Sequence, residues 1–191
     1  MFVIRREAHN PILAPQRDRP WEARATYNPS AVKTKDGVRI FYRALGNPDA
    51  LQTPHAGLSS IGTALSIDGT QLPSRQQVIH AQEEWDSFGC EDPRVTFFEG
   101  RWYCFYTALG GWPFGPDNIK VAVAIGDSPD NFTERHLITP FNAKAATLFP
   151  ERINGFFNAV GLRDQQLVDV AKKAGRNIDV KQPAKQRKRD G

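Results

Sequence analysis

Two stretches of this chain share one outline, and that repetition limits the fold more than any other feature. Residues 27–46 read YNPSAVKTKDGVRIFYRALG and residues 91–111 read EDPRVTFFEGRWYCFYTALGG. Each opens on a polar residue and Pro, runs through β-rich residues to an acid-Gly turn, and returns through an aromatic-dense run ending in Arg-Ala or Thr-Ala. That pattern predicts a β-hairpin in each case. After each hairpin comes a further small-residue strand, IGTALSIDG (61–69) and then KVAVAIGDSPDNF (120–132). Gly37 and Gly100 mark a period of 63 residues, and a third copy starts at ATLFPERINGFF with its turn at Gly155. A self-similar unit of hairpin plus further strands predicts an all-β fold of β-propeller blades, here about two and a half of them. No segment before residue 160 carries sustained helical periodicity.

The third copy does not continue as a blade. From residue 156 the text is FFNAVGLRDQQLVDVAKKAGRNIDVKQPAKQRKRDG, a short amphipathic turn pattern followed by a basic tail. The division expected from sequence is a partial propeller over 1–155 and a divergent basic tail, helical or disordered, over 156–191. Charge follows the same boundary. The chain is +4 overall, but residues 156–191 carry nine Lys/Arg against four Asp, which leaves residues 1–155 at −1. Without basic residues interleaved with aromatics, that body is not a nucleic-acid surface. The N-terminus MFVIRREAHNP reaches charge by residue 5 and lacks a signal-peptide apolar stretch, and nothing later approaches a spanning helix. The expectation is a soluble cytoplasmic protein with no membrane partner. Cys90 and Cys104, the only cysteines, read as buried thiols, and His9, His55, His80 and His136 stand at no metal-ligand spacing, so no metal site is expected.

Glu91 and Asp92 sit at the start of an inner hairpin strand, where a propeller presents side chains to its central channel. Strict strand alternation puts the two acids on opposite faces, making one the candidate and the other a supporter. Pro93 belongs at a strand's first position and fixes the backbone after Asp92. Arg94 returns to the face of Asp92, where it pairs with that acid or with an anionic ligand. Among the tryptophans 21, 85, 102 and 112, Trp112 is the best candidate for stacking on a ligand, because GGWPFGPDN is a Gly/Pro-rich loop after an inner hairpin. Asp68 and Asp127 read as turn-shaping acids.

Taken in order, NPSA, FYRALG, the SxxGxALSxDG pattern of Ser59, Gly62, Ala64, Ser66, Asp68 and Gly69, GCEDPRVT, FYTA and LFPERING resemble glycoside hydrolase family 130, over roughly residues 9–155. That family comprises five-bladed β-propeller mannosyl phosphorylases and β-mannosidases. The resemblance implies inverting phosphorolysis of β-mannosides to mannose 1-phosphate, with Asp92 as the general acid, acting directly or through a sugar hydroxyl. It implies that Asn28 and Arg43 hold the sugar served by that acid, and that Lys144 belongs to the phosphate side. Inorganic phosphate would be the co-substrate, with no cofactor. Hydrolysis by the same family, or sugar binding by an inactive remnant, are the alternatives. A hydrolase needs a second carboxylate as base, whereas phosphate is already a nucleophile and needs cations to receive it. To donate at neutral pH the acid must hold its proton, which burial or Glu91 favours and Arg94 opposes. Against the family pattern the chain reads as truncated or frame-shifted, so raw sheet edges are expected to be hidden by a homo-oligomer or another partner.

Overall fold

The structure is a computed structural model that describes residues 8–48 and 57–162. It holds ten strands and, among the described residues, no helix beyond a short 3-10 turn at Glu84–Asp86. The first four strands, β1 (Ala25–Thr34), β2 (Gly37–Pro48), β3 (Gly57–Ser66) and β4 (Ser74–Ile79), pair antiparallel in chain order. The next four, β5 (Gly89–Phe98), β6 (Arg101–Leu109), β7 (Ile119–Gly126) and β8 (Glu134–Leu137), repeat the arrangement. The two sets meet through one parallel pairing, Ser59 with Gly89. A third antiparallel pair follows, β9 (Lys144–Leu148) with β10 (Ala159–Leu162). These are two complete blades and the inner hairpin of a third, as the repeat predicts. The inner strands pack in sequence, β1 on β5 and β5 on β9, with Val95 N–H donating to Ser30 Oγ (3.1 Å) and the Thr96 hydroxyl donating to the Leu148 carbonyl (3.1 Å).

Each core lies between consecutive sheets, because a twisted blade has two faces and only its neighbours can cover them. Phe41, Ile61 and Ile79 of the first blade meet Cys90, Trp102, Cys104 and Tyr106 of the second. Phe105, Val121 and Val123 meet Ala146, Leu148, Phe157 and Ala159 of the third hairpin. The free face of the first blade packs Tyr42, Ala44 and Ala64 against Ile12, Leu13 and Trp21 of the N-terminal segment. Both cysteines are free and buried, as expected, and burial pushes the Cys90 thiol well above its ordinary value.

Two sequence expectations need correcting. The boundary after residue 155 cuts the third hairpin, since Phe157 and Ala159 are buried in its core and β10 runs to Leu162. The helical or disordered tail expected beyond it lies outside the described residues. The turn glycines also fail to superpose. In the second hairpin Glu99 and Gly100 have φ of 48° and 79°, the two-residue left-handed turn suited to strand twist. In the first, Gly37 pairs with Thr34 as Arg101 pairs with Phe98, so the structural period is 64 residues. Gly37 is glycine for another reason: a Cβ there would stand 2.2 Å from the Ser66 carbonyl oxygen.

Candidate active site

The inner strand of every blade breaks at the same point. Tyr27 pairs with Arg43 and Ser30 with Phe41, so Asn28 and Pro29 together face one residue. Glu91 pairs with Thr107 and Arg94 with Phe105, leaving Asp92 and Pro93 in that position, and Lys144 pairs with Leu162 ahead of the matching irregularity in β9–β10. Each break is a bulge carrying one left-handed residue: Asn28 (φ 49°), Asp92 (φ 52°) and Ala145 (φ 56°). Asn and Asp tolerate that conformation better than other L-residues. A Pro next in line restricts the backbone further.

The bulge overturns the alternation argument. Inserting one residue between Glu91 and Arg94 shifts the phase of the strand, and both acids meet the same guanidinium. Arg43 pairs closely with Glu91 Oε1 through Nη2, and its Nη1 stands 3.7 Å from Asp92 Oδ1. Asn28 Nδ2 donates to that same Oδ1 at 2.7 Å. Arg43 Nε donates to Ser59 Oγ (3.0 Å), and the Ser59 hydroxyl donates to Glu91 Oε1 (3.2 Å). The guanidinium lies over the Tyr27 ring, 4.6 Å from its centroid. Five side chains from β1, β2, β3 and β5 thus fix Asp92 at the junction of two blades.

Burial raises Glu91 above the ordinary carboxylate value, against the opposing pull of Arg43. Burial likewise raises the Tyr27 phenol, again opposed by Arg43. Glu91 is therefore costly to ionise, and the arginine offsets that cost.

The remaining sequence candidates separate. Arg94 does not turn to Asp92; its Nη1 donates to the Pro93 carbonyl (2.9 Å), because the bulge has rotated it out of phase. Lys144 occupies the register position of Tyr27 and Glu91 on the third inner strand, and it is exposed. Trp112 is exposed and packs edge-on against Phe114, with ring centroids 4.7 Å apart, outside the contacts that hold the acids. Asp68 shapes its turn, accepting from the N–H groups of Thr70 and Gln71. Asp127 instead accepts from Arg101 (3.0 Å). Ser59 is the residue whose role sequence reading missed. It stands in the quoted motif, but nothing in its spacing shows that it bridges an arginine and an acid on two other strands. No group of three or more metal-ligating side chains gathers among the described residues.

Solved structures share the fold. The fold is similar to β-1,2-mannobiose phosphorylase from Listeria innocua, with a TM-score of 0.64, 18% identity, and coverage of 85% of this chain and 59% of that one. It is similar also to a glycoside hydrolase structure from Parabacteroides distasonis, with a TM-score of 0.60, 20% identity, and coverage of 81% and 52%. In sequence, residues 4–163 match the family described as beta-1,4-mannooligosaccharide phosphorylase. The chain belongs to glycoside hydrolase family 130. Two relatives from Thermoanaerobacter sp. (strain X514) are similar to it. One is a beta-1,2-mannobiose phosphorylase, 29% identical over 161 residues, and the other a 1,2-beta-oligomannan phosphorylase, 28% identical over 157. Each match covers 81% of this chain, which spans about half the length of either relative, 53% and 52%.

Proposed function

We propose that the protein acts on β-mannosides by phosphorolysis, with Asp92 as the proton donor to the leaving oxygen and inorganic phosphate as co-substrate. The observation that carries this reading is the left-handed bulge that delivers Asp92 to Asn28 and Arg43. Both donors approach Oδ1, so in the neutral acid the proton belongs on Oδ2. Arg43 is largely engaged by Glu91 and leaves Asp92 a longer, weaker contact. Asn28 and Arg43 present donors on the acid's own side, suited to the hydroxyls of a sugar. Lys144, one inner strand further on, supplies a cation for the phosphate side. Glu91 shares Arg43 with Asp92, so it is read as a partner within the acid's own cluster and not as the opposing base of a hydrolytic pair.

The test is release of mannose 1-phosphate from β-1,2- and β-1,4-mannobiose with and without phosphate. Phosphate-dependent release is expected, and Asp92→Asn should lower it by about 10²–10⁴-fold while mannobiose binding persists. Free mannose produced without phosphate would favour the hydrolase, and an active Asp92→Asn protein would remove Asp92 from the role.

A further inference from the structure

The blade repeat builds a concavity at the same place in each complete blade, and the two copies differ in a way that points to a ligand. In the second blade it measures 250 Å³ and is walled by Trp85, Gly110, Asp117, Lys120 and Leu137. In the first it measures 590 Å³, with Trp21, Asn47, Ser59, Ser60, Gln77 and His80 among its walls. The positions correspond through the strand register. Ser60 lies opposite Ala44 as Lys120 lies opposite Ala108, and Gln77 opposite Gly62 as Leu137 opposite Ala122. A Cβ built on Gly46 would stand 3.2 Å from the Cα of Trp21, and one built on Gly110 would stand 3.2 Å from the Cα of Trp85. The concavity itself is therefore a product of the repeat, but its lining is not.

Volume and lining set the first-blade copy apart. Its volume falls within the roughly 300–1,000 Å³ typical of small-ligand sites, which the other copy does not reach. Its wall replaces a lysine with a serine and a leucine with an amide, giving neutral hydrogen-bonding groups around an indole, the chemistry that suits a polyol. Ser60, only 4% exposed, holds its Oγ buried with no hydrogen-bond partner, a hydroxyl where the second copy's own unpartnered group is the Trp85 indole N–H. A buried hydroxyl left unmatched is costly unless something supplies the partner. The pocket is also joined to the acid cluster, because Ser59 lines it while bonding Arg43 and Glu91. In the second blade Ile119 takes the place of Ser59, opposite Leu109 as Ser59 lies opposite Leu45.

We infer that the Trp21–Ser60 pocket is an outer sugar subsite, taking a mannosyl unit of a longer β-mannoside whose reacting end lies at Asp92. The inference rests on the mannoside reading above. Filling the subsite with one more sugar, through one or two neutral hydrogen bonds and the face of Trp21, should tighten binding about tenfold. The experiment is equilibrium binding of linkage-matched mannobiose and mannotetraose to the full chain, measured by titration calorimetry, alongside mannose 1-phosphate release from both. Wild type should bind the tetraose about tenfold tighter than the biose. Ser60→Lys, which copies the second blade, and Asn47→Ala, at an exposed wall position, should bring that ratio towards one.

Equal binding of the two sugars by wild type overturns the subsite without need of any variant. So does a tetraose preference that survives both substitutions. If mannose 1-phosphate appears but the sugars bind alike, the subsite fails and the reading of Asp92 stands. If no sugar is turned over but a Ser60-dependent preference is measured, the subsite stands and the proposed reaction fails.

Discussion

Glu91 and Asp92 are neighbours that end with different tasks because of one backbone angle. With Asp92 at φ 52° the strand no longer alternates there, and the two carboxylates converge on Arg43. Glu91 is then the group whose protonation couples to stability. Its folded-state pKa is raised above the ordinary 4.5, chiefly by burial. The folded protein therefore binds that proton more tightly than the unfolded chain, and the resulting stability is full below about 4.5 and lost as pH rises through the raised value. Glu91→Gln cannot titrate, so the difference in unfolding free energy between variant and wild type should change in the variant's favour as pH climbs through that window. Urea unfolding at a series of pH values measures it, and a pH-independent difference would show that Glu91 titrates normally. The same substitution weakens the hold on Arg43, so in assays it should raise KM more than it lowers kcat. Strand position singled out the Glu91-Asp92 pair in the sequence, and the family resemblance added Asn28 and Arg43; the structure gathers these four side chains. The sequence alone could not supply Ser59's bridge or the turning away of Arg94, since both depend on a bulge that no residue pattern declares.

At the level of elements, each complete blade carries a buried clamp that the hairpin comparison overlooked. In the first, Glu22 accepts from the Tyr42 hydroxyl (2.7 Å) and from Arg75 Nη1 (3.4 Å). In the second, Asp86 accepts from the Tyr106 hydroxyl (2.8 Å), from Arg135 Nη1 (3.3 Å), and from the backbone N–H groups of Gln82 and Glu83. Both acids are wholly buried. Each ties the segment entering an inner strand to the blade's second and fourth strands. Burial raises both phenols, Tyr42 and Tyr106, and the neighbouring acid adds to that. The clue was present in the sequence as the dipeptides Trp21-Glu22 and Trp85-Asp86, 64 residues apart. It is short, and it lies outside the β-rich runs that drew attention. Replacing Tyr42 or Tyr106 with Phe leaves a buried carboxylate short of one donor, with an expected cost of about 1–3 kcal/mol. Thermal or urea unfolding of each variant measures that cost, and loss of under ~0.5 kcal/mol would show that the remaining donors satisfy the acid.

Across the whole molecule, polar ties at several points join neighbouring blades. Besides the cluster around Arg43, the Arg39 guanidinium of β2 donates to Asp130 Oδ1 (2.5 Å), and the Gln76 amide of β4 donates to the Asp130 carbonyl (3.2 Å). Asp130 belongs to the turn between β7 and β8, so one loop of the second blade is pinned by two strands of the first. Removing an ion pair of this partly exposed kind costs about 0.2–1 kcal/mol. Arg39→Ala should accordingly speed amide exchange in residues 127–133 by up to about fivefold and leave the β5–β6 ladder unchanged. Exchange measured by mass spectrometry checks this, and uniform acceleration through both blades would mean that the tie supports the whole fold.

The single pairing of Ser59 with Gly89 bears on the order in which the chain is made. All partners of Glu22 lie within the first blade, so that clamp can close once residue 75 has emerged, since hairpins form from near neighbours and domains order from the N-terminus during synthesis. Arg43 and Asn28 are then in place on a nascent blade, but the acids that engage them have yet to be translated. The first half of the site waits, cationic and open, and becomes a neutralised, occupied arrangement only when Glu91 and Asp92 arrive on the second.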